Sequence, residues 1–81
     1  MRASSIKKFE DFKDVLIYIA VATHPVTALE LEENVVELSR GQLNLDLTAM
    51  VQSGYLLPQG GRNKRAYTAT DKTKQLFGVT A

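Results

Sequence analysis

The chain has no cysteine and a single histidine. The first absence excludes a disulfide framework and a thiolate zinc site. The second leaves His24 without partners for a metal site or a general base, since either needs several convergent groups. A glycine-rich phosphate loop is also missing. Gly60-Gly61 lacks both the lysine and serine/threonine pattern and the strand-to-helix setting such a loop requires. Long apolar runs are absent: the longest, residues 15–22, has eight members, against the roughly 20 needed to span a bilayer. Residues 1–5 are not expected to act as a signal peptide, because Ile6-Lys7-Lys8-Phe9-Glu10-Asp11 interrupts any apolar segment. Acidic side chains cluster at Glu30, Glu32, Glu33 and Glu37, on a face expected to be solvated, where nothing would raise a carboxyl pKa. The expectation is a cytoplasmic chain with no catalytic residue, no metal site, no cofactor and no membrane attachment.

What is present is one domain's worth of sequence, residues 1–81, with a small stability margin. Net charge is +1 but unevenly spread. Residues 1–37 hold four basic and seven acidic side chains, a balance of −3; residues 38–81 hold six basic and two acidic, a balance of +4. Such asymmetry points to one face meeting a polyanion.

Ser4 or Ser5 can cap a helix starting near Ile6. Ile6, Phe9, Lys13, Leu16 and Ala20 fall at helical spacing, and Phe12, Val15, Ile19 and Val21 widen the apolar face. Residues 15–22 are apolar nearly all round, which predicts cover on more than one side, by the core or by a second subunit. His24-Pro25 closes the segment, with His24 a cap or a solvated loop residue. Thr27 and Glu30 form a capping box for a short helix over residues 28–34, followed by a turn through Leu38. Ser39 caps a third helix over residues 40–53, with Leu43, Leu47, Met50 and Val51 as its buried stripe and Arg40, Gln42, Asn44, Leu45, Asp46, Thr48 and Gln52 outside. Gly54 stops it. Residues 55–58 and 64–69 read as two strands around a glycine turn. The second strand should place Ala66 on one face and Arg65, Tyr67 and Ala69 on the other. Thr70 caps a last helix over residues 71–77, whose Leu76 and Phe77 should return to the core.

The third helix and the hairpin carry the chemistry. Ser39, Arg40, Gln42, Asn44 and Thr48 supply donors and acceptors of the kinds that read base edges in the major groove, and the N-terminal half of such a helix makes those contacts. The turn over residues 59–65 carries Arg62, Asn63, Lys64 and Arg65, a basic tip suited to a phosphate backbone or a minor groove.

Several stretches together resemble the winged helix-turn-helix DNA-binding domains of bacterial transcription regulators, of the MarR-like and IclR-like kind. Thr27-Ala28-Leu29-Glu30-Leu31 matches the motif's first helix, and residues 39–50 match its recognition helix. Met50-Val51-Gln52-Ser53-Gly54-Tyr55-Leu56 matches the exit from that helix. Tyr67-Thr68-Ala69-Thr70-Asp71-Lys72 matches the end of the wing and the capped helix after it. The resemblance covers roughly residues 12–77. It implies an α+β fold: three helices, a two- to three-stranded β-hairpin wing with a small strand near Thr27, and a short C-terminal helix. It implies a repressor or accessory regulator that binds double-stranded DNA. It also implies a homodimer on an inverted repeat, joined through the first helix (residues 15–22) or the last. A ligand-sensing domain, and hence a small-molecule ligand, is not expected.

Leu45 and Asp46 depart from that pattern, because a basic or polar residue usually stands where Leu45 does. Leu45 against a thymine methyl and Asp46 against cytosine N4 would suit DNA. The same pair would suit a protein partner, so a protein-interaction module on the same scaffold is the alternative.

Overall fold

The computed structural model describes residues 2–60 and 65–79. The chain is α+β: α1 (Arg2–Val21), β1 (Val26–Thr27), α2 (Ala28–Asn34), α3 (Arg40–Gln52), β2 (Leu56–Gln59), β3 (Ala66–Ala69) and α4 (Asp71–Leu76). Three of these helices begin where short hydroxyl side chains can accept from an otherwise orphaned amide. The Thr27 hydroxyl accepts from Glu30 N at 3.1 Å, Ser39 from Gln42 N at 3.2 Å, and Thr70 from Thr73 N at 3.4 Å. Helix α1 starts at Arg2, ahead of the expected Ile6, so positions 4 and 5 lie inside it and not at its amino end.

The sheet is antiparallel with strand order β1-β3-β2. Register sets Val26 opposite Tyr67 on one side of β3, and Pro58 opposite Tyr67 on the other. Proline is tolerated there because β2 is an edge strand whose outward amides need no ladder partner. Ala66 and Tyr67, successive residues on opposite faces of β3, are both buried, so packing covers both faces of that strand here. Gly54 (φ +85°) turns the chain from α3 into β2, a backbone conformation that side-chain-bearing residues resist.

The core joins Val15, Leu16 and Ile19 of α1 to Val26, Leu31, Val36, Leu56, Tyr67 and the Leu43–Leu47–Met50 stripe of α3. Over residues 15–22 helix α1 is covered around most of its circumference, against β3 and α4, and leaves only a narrow strip open. Ile17 stays 36% and Val21 59% exposed, and the amino-terminal Ile6 and Phe9 lie outside the core at 60% and 68%. Helix α4 sends Phe77 inward but leaves Leu76 62% exposed, against expectation. Its anchor is instead polar. Thr73 is fully buried and donates to the Tyr55 carbonyl at 2.6 Å, while Thr70 donates to the Gly54 carbonyl at 2.7 Å.

Candidate nucleic-acid interface

The buried stripe of α3 fixes which way the rest of the helix points. Leu43 and Leu47 are fully buried and Met50 nearly so, and Arg40, Asn44 and Thr48, one turn apart on a row beside that stripe, are exposed together. Ser39 and Leu45 are exposed beside them, and Gln42 is half-buried. Gly41 stands in the first turn with open space where a Cβ would go. The first-turn amides lie at the positive end of the helix dipole.

Several polar side chains of α3 have partners inside the chain. The Arg40 guanidinium donates to the Glu32 carboxylate of α2, and that bond holds its pKa above the ordinary arginine value. Asp46, expected on the reading face, is buried at 6% exposure. It lies on the flank of α3 that faces α1, where its Oδ1 accepts from Gln42 Nε2 at 2.9 Å. Lys8 Nζ stands 3.7 Å from the same oxygen.

The hairpin approach is built as a spacer. Gln59 and Gly60 are exposed, Gly60 has φ +83°, and the Gln59 amide donates to the Thr68 hydroxyl across the ladder at 3.3 Å. Arg65 is exposed at the start of the returning strand. Arg62, Asn63 and Lys64 lie outside the described residues.

Two clusters had no signal in the sequence. Tyr18 of α1 donates to Glu30 of α2 at 2.7 Å, and His24 Nε2 lies 3.0 Å from the same carboxylate. The Tyr18 hydrogen bond first, and His24 second, hold the Glu30 pKa below the ordinary carboxylate value. The same bond raises that of Tyr18. Glu30 therefore completes only half of the expected capping box: its amide reaches Thr27, but its carboxylate is turned to Tyr18 and His24. The second cluster closes the carboxyl end of α3. Lys72 donates to the Ser53 carbonyl at 3.0 Å and lies 4.3 Å from the centroid of the Tyr55 ring. Lys72 and Arg40, two of the six cations behind the positive balance of residues 38–81, thus have intramolecular partners.

Among the described residues no helix is long and apolar enough to cross a membrane, and no group of three or more histidine or acidic side chains could hold a metal ion. No protein-family model matches the chain, and no curated protein matches it.

Proposed function

We propose that this chain is a winged helix-turn-helix protein that binds double-stranded DNA sequence-specifically, as a small transcription regulator. The observation that carries the reading is the outward face of α3: Asn44, Leu45 and Thr48 exposed together, beside Ser39 and Arg40, on a helix locked from behind. In this reading α3 enters the major groove amino end first, and its first-turn amides approach phosphate. The segment between β2 and β3 is the wing, with Arg62, Lys64 and Arg65 on the backbone or minor groove. The order of elements and the short β1 paired to β3 support the same scaffold. Dimerisation through Ile17 and Val21 of α1 or Leu76 of α4, which are among the apolar side chains those helices leave exposed, would match a two-fold DNA site.

Gly41 supports the close approach. Glycine inside a helix costs roughly 0.5–1 kcal/mol relative to alanine, and among the described residues nothing occupies the place of its missing side chain. The test is the salt dependence of duplex binding. Arg62→Ala, Lys64→Ala and Arg65→Ala should each lower the slope of log K against log salt by about 1. Full affinity and an unchanged slope in the triple variant would remove the wing from the interface.

One observation favours a second reading, a protein-interaction module. Leu45 is 68% exposed in the middle of the α3 face. In that case Leu45→Asp abolishes a protein complex, and DNA binding is weak and indifferent to sequence.

A further inference from the structure

Among the described residues Asp46 is the only buried charged side chain. A carboxylate taken out of water needs hydrogen bonds and a counter-charge, and Asp46 has both: the Gln42 amide at 2.9 Å and Lys8 of α1 at 3.7 Å. The three side chains line a cleft between α1 and α3, together with Lys7, Asp11 and Leu38. A cluster that only filled this cleft would gain more from an apolar residue at position 46 than from a charge. The arrangement has a different consequence. An ionised carboxylate accepts and never donates, so the end of the Gln42 amide that faces it must be the NH2 group. Without that neighbour the two ends of the amide are nearly equivalent in shape and exchange by a half-turn. With it, the Gln42 oxygen is turned away from Asp46, and one of the two Nε2 hydrogens stays free beside it.

We propose that Asp46, neutralised by Lys8, is a positioning residue that fixes the Gln42 amide as one acceptor and one donor, so that Gln42 reads adenine in the major groove. This inference rests on the DNA-binding reading of α3. Adenine offers an N6 donor and an N7 acceptor, which match that fixed pair. Guanine offers acceptors at both O6 and N7 and would need two donors, one of which Asp46 already holds. Asp46 itself touches no base.

The experiment is selection from random duplexes with the wild-type chain, Asp46→Asn, Asp46→Glu and Gln42→Ala, with affinities for the enriched site and its single-base variants. Wild type should enrich a motif with an adenine favoured over guanine by about tenfold at one position. Gln42→Ala should lose that preference. Asp46→Asn, whose amide can donate as well as accept, should lose it at the same position while the rest of the motif persists. Asp46→Glu, again an acceptor only, should restore it. A purely structural Asp46 would lower affinity evenly across sequences. Asp46→Asn with the wild-type preference intact overturns the positioning role and leaves DNA binding standing. No enriched motif from folded wild type overturns the DNA reading itself. Should Asp46→Asn fail to fold, the side-chain amide protons of Gln42 in the wild-type chain decide. One displaced proton that shifts as Asp46 is titrated supports the proposal, and two ordinary, equally exchanging protons overturn it.

Discussion

The two ends of α3 are finished in opposite ways. At the carboxyl end every contact turns inward. Lys72 takes the Ser53 carbonyl, Thr70 that of Gly54, and Thr73 that of Tyr55. Tyr55 N returns to the Met50 carbonyl at 2.9 Å. At the amino end one serine caps the helix, Arg40 leans on a surface glutamate, and the outward side chains are left to solvent. The first arrangement spends its polar groups on holding the helix to α4 and the sheet. The second leaves them available. A helix fixed at its tail and open at its head is suited to delivering its first two turns to a partner.

The largest break in that contrast lies at its middle. Leu47→Ala empties a fully buried site that both ends depend on, at about 2–5 kcal/mol. A domain this small has roughly 4–12 kcal/mol in total. The urea midpoint should fall steeply, and binding should fall with the folded fraction. Thr73→Val next removes only the tail's buried hydroxyl. The loss should be about 0.5–1.5 kcal/mol, because the Tyr55 carbonyl loses its shortest donor and keeps the longer one from Thr70 N. Affinity per folded molecule should not change, whereas a loss of affinity at full folding would mean that the tail shapes the reading face.

Ser39→Ala should cost about 1 kcal/mol, as the Gln42 amide loses its cap. Gly41→Ala is the sharper test of the head. It should raise stability by about 0.5–1 kcal/mol, since space is open there, and it should weaken DNA binding. Stabilisation with unchanged affinity would show that nothing approaches that turn.

The smallest expected effect is one of pH. The Glu30 pKa is lowered in the folded chain, chiefly by Tyr18 and then by His24. Its contribution is therefore present above the ordinary carboxyl range and lost as pH falls through the folded value. The Tyr18 pKa is raised by the same bond, so its contribution is full below the ordinary phenol range and lost as pH rises through the folded value. Glu30→Gln should flatten both limbs of a stability–pH curve. Identical curves for wild type and variant would show that the bond is not kept in solution.

The parts of this fold legible in the sequence are those written within one turn. Thr27, Ser39 and Thr70 cap helices three residues ahead of the amides they accept from, and Gly54 marks a left-handed stop. Leu43, Leu47 and Met50 set the buried face of α3 by spacing alone. What could not be read depends on residues far apart in the chain. Asp46 looks like a surface residue until Lys8, thirty-eight positions earlier, is placed beside it. Glu30 looks like half of a capping box until Tyr18 and His24 claim its carboxylate. That Ala66 and Tyr67, on opposite faces of β3, are both buried depends on α1, far earlier in the chain, packing on that strand. Ile6 and Phe9 continue a helical apolar pattern past the end of the core that would bury it. The outward residues of α3 were legible as a face, and which of them stand free was not.

The most direct test of the outward α3 face is selection from random duplexes with the wild-type chain, followed by affinity for the enriched site with Asn44→Ala and Thr48→Ala. An enriched inverted repeat is expected, with each substitution relaxing preference at its own position in both halves. A folded protein that enriches no sequence, or one whose motif both substitutions leave unchanged, would contradict it.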